Sequence, residues 1–148
     1  MRYKCEIEID LPREEMIAKL DSAENMYKWQ KGLISHEFLK GEPGEVGSTM
    51  KLKYKMGKRE VEMVETIVKK NLPDEWVMQY EAKGVHNEVG NHFIDLGNGK
   101  TKWVTDNYFK MKGMMKIFAV LMPGMFKKQS MKYLQDFKNF AENGISVN

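Results

Sequence analysis

Hydrophobic and charged residues alternate one by one at the start of the chain. Residues 3–9 read YKCEIEI, so Tyr3, Cys5, Ile7 and Ile9 share one side and the charged residues share the other. A period of two is typical of a β-strand with one buried face. The opening stretch therefore predicts a strand.

Helical spacing replaces this alternation at Pro12. Proline suits the first turn of a helix because the amide hydrogen that it lacks would have no partner there. Asp21 or Ser22 then fits the cap of a second short helix, which Gly32 is expected to end. The pattern so far is one strand followed by two helices.

From Leu33 to Met111 the period of two returns, interrupted by turn residues. Pro43-Gly44 fits the centre of a type II turn, and residues 97–99 (GNG) are typical of a hairpin. This segment predicts six antiparallel strands in series with short connections. With the opening strand the sheet would have seven.

Beyond Gly113 the hydrophobic positions recur every three or four residues. Between Phe126 and Ala141 they form one face of an amphipathic helix, and Asn143-Gly144 closes it. Pro123-Gly124 is expected to break or kink the helix near its start. The pattern predicts one α+β domain over residues 1–148, with a curved seven-stranded antiparallel sheet against a long C-terminal helix.

One helix does not fill the concave face of such a sheet, so we expect a cavity between them. Asn and Thr residues share the parity of the large hydrophobic ones, as ligand pockets require. A rotated edge register, or hydrogen bonds to the helix, would also explain them. The residues predicted to bind a ligand are Met50, Leu52, Tyr54, Met63, Trp76, Met78, Tyr80, Val89, Asn91, Phe93, Trp103, Thr105, Asn107, Phe109, Phe118, Met122 and Phe126.

Composition limits the classes of partner and compartment. The net charge of +3 is mild and lysines are interleaved with glutamates, so we expect no nucleic-acid partner. The single cysteine excludes an internal disulfide, and residues 1–10 lack the apolar run of a secretory signal, so we expect a cytoplasmic protein. Thirteen methionines suit surfaces that accept variable apolar shapes.

Three runs of sequence, together with the order of elements, resemble one known superfamily. They are WQKGL at 29–33, GEPGEVG at 41–47, and YFKMKG at 108–113 before a long helix. The chain is similar over its whole length to the START-like helix-grip superfamily, also called SRPBCC, and most to its polyketide cyclase/dehydrase and lipid-transport branch. The resemblance implies a grip-shaped cavity for a lipid, sterol, quinone or polyketide-like molecule, and it leaves the function open.

Candidate acid–base residues lie on strands whose facing the sequence leaves open. His36 and Glu37 have opposite parity in the strand over 33–40, and either set could face the cavity. A carboxylate or imidazole in an apolar cavity would have a shifted pKa and could act as a general base. Glu65 and Asp95 are equally ambiguous. Each shares a strand face with inward-facing neighbours, but each could also lie at the solvent-exposed end of a strand.

His86, Glu88 and His92 share one strand parity, which is the pattern of a metal site. The opposite parity carries Val85, Val89 and Phe93, so we expect the first set to face solvent. Zinc would also need a further ligand, and none is evident. The sequence therefore predicts no metal and no cofactor.

Residues 114–126, which start at Met114, read MMKIFAVLMPGMF and are too short to span a bilayer. They could be a buried helix start, a mobile gate over the cavity, or a segment that makes transient contact with a membrane. Three hypotheses follow for the whole chain: a carrier of a hydrophobic small molecule, a cyclase or dehydratase, or a protein-interaction domain. Ligand identity and oligomeric state stay open.

Overall fold

A computed structural model describes residues 1–148 of the chain. In chain order its elements are β1 (Arg2–Ile9), α1 (Arg13–Leu20), α2 (Ala23–Trp29), β2 (Leu33–Lys40), β3 (Thr49–Met56), β4 (Arg59–Asn71), β5 (Glu75–Ala82), β6 (Val85–Gly97), β7 (Lys100–Met111), α3 (Met114–Leu121) and α4 (Met125–Asn143).

The seven strands form a single antiparallel sheet in the order β1-β7-β6-β5-β4-β3-β2. Strands β2 to β7 follow one another as a meander, and β1 joins the far edge by pairing with β7. The predicted α+β fold class, a curved seven-stranded sheet with a long C-terminal helix, is confirmed.

Residues that pair directly across antiparallel strands project to the same face of the sheet. The register therefore places Met50, Glu65, Tyr80, Asn87 and Phe109 in one inward-facing row across β3 to β7. Neighbouring rows continue the inner face toward both ends of the strands. These rows form the floor of the space beneath α4.

The main core closes one end of that space. Phe137 of α4 is fully buried, and its ring centroid lies 5.3 Å from that of Trp29 and 5.2 Å from that of Trp103, both at near-perpendicular angles. Ile9 and Met16 are also fully buried in this cluster. Edge-to-face aromatic pairs add about 0.5–1.5 kcal/mol beyond burial, so this end of the sheet and helix is rigidly packed.

Local signals explain how the helices begin and end. The Ser22 hydroxyl accepts a hydrogen bond from the backbone N–H of Asn25 at 3.2 Å, so Ser22 is the cap of α2. Helix α2 ends at Trp29, and Gly32 follows at φ +83°, where a Cβ would overlap the carbonyl oxygen of Lys55. The predicted break at Pro123-Gly124 separates α3 from α4. The segment is thus two helices where the sequence suggested one.

Candidate functional site

A cavity of about 550 Å³ lies between the inner face of the sheet and α4. Its walls comprise 35 residues, of which 21 are hydrophobic. Both its size and its largely apolar lining are in the range of small-molecule sites. Leu134 and Tyr133 of α4 form part of its roof, and Phe38 of β2 is half exposed at its edge.

Most of the residues predicted to bind a ligand line this cavity. They are Met50, Tyr54, Met63, Trp76, Met78, Tyr80, Val89, Asn91, Trp103, Thr105, Asn107, Phe109 and Phe126.

The remaining predicted residues lie elsewhere. Leu52 and Phe93 have the inward parity but are buried against neighbouring side chains in two core clusters, so no surface of theirs reaches the cavity. Phe118 and Met122 are 39% and 45% exposed at α3 and its end. The sequence pattern placed them inside because it identifies apolar residues and not the direction in which a short helix leaves the sheet.

The inward amides and hydroxyls are held by protein hydrogen bonds. The Asn91 amide donates to the carbonyl oxygen of Trp76, and its Oδ1 accepts from the Trp103 indole, both at 3.0 Å. The Thr101 hydroxyl donates to the carbonyl oxygen of Leu11 at 2.9 Å. Hydrogen bonds to the sheet and to Leu11, and not to the C-terminal helix as the sequence also allowed, therefore hold these groups, although Asn91 also lines the cavity.

Two further amides use only their donor side within the protein. The Asn87 amide donates to the carbonyl oxygen of Tyr108 at 3.0 Å, and that of Asn107 donates to the Thr105 hydroxyl at 3.0 Å. Neither Oδ1 accepts a hydrogen bond from a protein group, and both residues line the cavity. Their carbonyl oxygens are available to a ligand.

Glu65, which the sequence could not separate from Asp95, lines the cavity. It sits between Met50 and Tyr80 in the inward row. Burial raises the pKa of its carboxyl, partly offset by the Tyr80 hydroxyl, while the Asp21 carboxylate raises that pKa further. Asp95 is exposed near the end of β6 and accepts from the backbone N–H of Gly97 at 2.8 Å.

Three tyrosines share the cavity wall with this carboxyl. Burial is the largest cause of the raised pKa of Tyr54, Tyr80 and Tyr133, and the Glu65 carboxylate adds to the effect on Tyr54 and Tyr80. The Tyr54 hydroxyl donates to Oε1 of Gln30. These phenols stay protonated, so they act as neutral hydrogen-bonding groups in the site.

His36 and Glu37 do not form a catalytic pair in the cavity. A register shift in β2 between Leu33 and Ser35 turns His36 to the inner side and Glu37 to the outer side. The Glu37 carboxylate is exposed and lies 3.3 Å from the Lys51 amine. His36 Nδ1 lies 2.7 Å from the Tyr27 hydroxyl. Neither His36 nor Glu37 lines the cavity. The bulge that decides this facing leaves no mark in the alternation of residues.

The His86, Glu88 and His92 set lies on the outer face of β6, as predicted. His86 contacts Glu81, the Glu88 carboxylate accepts from the Gln79 amide at 3.3 Å, and His92 lies 3.9 Å from Glu75. No group of three His, Cys, Asp or Glu residues is placed to hold a metal ion. Cys5 is buried in the main core cluster.

Helix α3 is apolar yet has no buried residue. We define the α3 surface as Met114, Ile117, Val120, Leu121 and Met122, whose exposures range from 45% to 77%. The segment is thus not the buried helix start that was one interpretation of its sequence. Helix α3 lies beside the cavity, because the Phe118 ring contacts that of Phe126, a cavity residue, with centroids 6.1 Å apart.

Comparison with known proteins identifies the fold. No family model matches the chain, and no curated protein matches it by sequence. The aromatase/cyclase Zhui from Streptomyces sp. R1128 superposes with a TM-score of 0.80 at 11% identity, over 96% of this chain and 93% of that one. A conserved protein from Geobacillus kaustophilus gives 0.80 at 16% identity, over 97% of each chain.

A norcoclaurine synthase from Thalictrum flavum, bound to dopamine and hydroxybenzaldehyde, superposes with a TM-score of 0.72 at 11% identity. The match covers 99% of this chain and 88% of that one. At these identities the likeness shows the fold alone. The chain shares its fold with these proteins, so the helix-grip fold that the sequence resemblance implied is confirmed.

Proposed function

We propose that this protein binds a small hydrophobic molecule in the cavity beneath α4 and carries it. The observation that carries the proposal is the cavity itself, about 550 Å³ in volume and lined mainly by apolar side chains. A well-packed domain leaves few voids larger than a water molecule. A space of this size, held open between a sheet and a helix, supports a ligand of the lipid, sterol, quinone or polyketide class.

Native mass spectrometry of the purified protein tests this proposal. We expect an apolar adduct, or uptake of at least one compound from a panel of sterols, quinones, flavonoids and fatty alcohols. Denaturing extraction then gives the class of the adduct. A ligand-free mass with no uptake from the panel would contradict the proposal and favour a protein-interaction domain.

An acid–base enzyme of the cyclase or dehydratase type is a second candidate, and Glu65 favours it. Burial raises the pKa of this carboxyl, and its place in the cavity wall suits it to proton transfer to or from a bound ligand. The test is conversion of the co-purifying ligand by the wild type and by Glu65→Gln. A product formed by the wild type alone would support the enzyme, and unchanged ligand with both would leave the carrier.

We also propose that the α3 surface contacts an anionic membrane when ligand is loaded or released. The exposed apolar residues of α3 are flanked by lysines, and residues 107–135 contain six lysines and no acidic residue. Exposed apolar side chains beside basic ones are the pattern of interfacial helices that bind anionic lipid. No helix in the structure has both the length and the apolar composition to cross a bilayer. A cytoplasmic location remains part of this proposal.

A further inference from the structure

The cavity wall contains acidic groups and no basic ones. Although the chain has 24 lysines and arginines, Asp21 and Glu65 are the only charged residues that line the cavity, and no histidine lines it. The Asp21 carboxylate lies 3.3 Å from the Lys70 amine. Glu65 has no cationic partner. A negatively charged ligand would therefore meet uncompensated negative charge inside the cavity.

The Glu65 carboxyl also has unused hydrogen-bonding capacity. A carboxylate offers about four acceptor sites, and Tyr80 is the one side-chain hydrogen-bond donor beside the Glu65 carboxylate. The Tyr80 hydroxyl in turn lies 3.6 Å from the sulfur of Met78, which competes for its proton. Glu65 is part-buried in the cavity wall, and a ligand that supplies a donor gives its carboxyl a hydrogen bond that the protein does not provide.

The neighbouring polar atoms have the same character. The Oδ1 atoms of Asn87 and Asn107 face the cavity region without a protein donor, because the protein uses only the NH₂ groups of these amides. Asn87 lies two strands from Glu65 in the same inward row. The free polar groups near Glu65 thus include two acceptors, whereas the unpaired indole N–H groups of Trp29 and Trp76 belong to another part of the wall, with Trp76 four residues along β5 from Tyr80.

We infer that the cavity selects apolar ligands that carry a hydrogen-bond donor, a hydroxyl or a protonated amine, and rejects carboxylates, with Glu65 as the residue that determines this specificity. The inference rests on the proposed function and narrows its ligand class. It disfavours fatty acids, and favours hydroxylated or aminated molecules. Desolvation, which raises the pKa of Glu65, is consistent with a carboxyl that lacks a counter-ion among the residues of the cavity wall.

A matched set of fluorescent probes tests the inference. 1-Methylpyrene, 1-pyrenemethanol, 1-pyrenemethylamine and 1-pyrenecarboxylic acid share one skeleton and differ in the polar group. Binding is measured at pH 7 by energy transfer from the protein's three tryptophans, Trp29, Trp76 and Trp103, all of which line the cavity. We expect the alcohol and the amine to bind the wild type about tenfold or more tighter than methylpyrene, as expected for hydrogen bonds to a charged group, and the carboxylic acid to bind more weakly than either.

Two substitutions separate charge from hydrogen bonding. Glu65→Leu should reduce the preference for the alcohol and the amine to within about twofold of methylpyrene. Glu65→Gln should keep the preference for the alcohol, lose the extra affinity for the amine and accept the carboxylic acid better. Glu62→Gln is the matched control, since Glu62 lies on the exposed outer face of the same strand, 3.5 Å from Lys53, and should change nothing.

The outcomes distinguish this inference from the proposed function. Equal wild-type affinity for the alcohol and the carboxylic acid, or an alcohol preference that survives in Glu65→Leu, overturns the inference while the binding function stands. Failure of all four probes, including methylpyrene, overturns the proposed binding function together with the inference. A preference for the amine alone assigns the ligand to the cationic class, and a preference for both donors includes neutral alcohols.

Discussion

Removing apolar surface from α3 should strongly weaken membrane binding without affecting the fold. Val120 and Leu121 are 74% and 75% exposed, so serine at both positions removes few contacts within the protein. Substitutions at such sites change the free energy of unfolding by about 0.5 kcal/mol or less. Burying one aliphatic side chain fully is worth about 1.5–3 kcal/mol. Because about three quarters of each side chain is exposed, insertion of both is worth about 2.2–4.5 kcal/mol.

The expected consequence is a loss of about thirtyfold or more in partition to vesicles, since each 1.4 kcal/mol is a factor of ten. The assay is co-sedimentation with vesicles of phosphatidylcholine and phosphatidylserine, with thermal unfolding to show that the variant is folded. Ile94→Ser is the control, because Ile94 is also apolar and 45% exposed but lies on the outer face of β6.

The lysines beside α3 add a second arm to this test. Binding should weaken as salt rises and as phosphatidylserine is withdrawn, because each lysine near an anionic surface contributes about 1 kcal/mol that is screened by ions. Equal sedimentation of the wild type and the Val120→Ser/Leu121→Ser variant would refute the reasoning. Binding lost equally in the Ile94→Ser control would refute it as well.

Three further predictions concern stability, each measured by urea unfolding. The pKa of Glu65 is raised above 4.5 in the folded state, so the folded protein holds this proton more tightly than the unfolded chain does. The wild type should therefore lose stability relative to Glu65→Gln as pH rises from about 4.5 through the folded-state pKa. A stability difference that does not change with pH would contradict this prediction. Trp103→Phe removes the indole donor from the buried Oδ1 of Asn91 and should cost about 1–3 kcal/mol, so an unchanged midpoint would show that the hydrogen bond contributes nothing. Gly32→Ala should destabilise the protein by more than about 1 kcal/mol, because φ is +83° there and the new methyl would overlap the Lys55 carbonyl, whereas Gly57→Ala, at φ +66° with open space around it, should cost less.

The sequence by itself determined the elements and their order. Alternation with a period of two identified the strands, and the change of spacing after Gly113 identified the helical end. Turn chemistry marked the break at Pro123-Gly124 and a cap at Asp21 or Ser22, and the structure has the break there and the cap at Ser22. These features depend on residues close together in the chain, so local physical rules are sufficient to recognise them. Parity also indicated most of the residues that line the cavity.

Tertiary structure decided which of those residues touch the cavity and with what chemistry. A bulge in β2 turned Glu37 outward, and tight packing removed Leu52 and Phe93 from the cavity surface. Parity treated Glu65 and Asp95 alike, but Glu65 lies within the inward row and Asp95 near a strand end in solvent. Parity states which residues share a face of a strand. Cross-strand register, sheet curvature and the path of α3 determine whether that face meets core, cavity or solvent, and they depend on contacts between residues far apart in sequence.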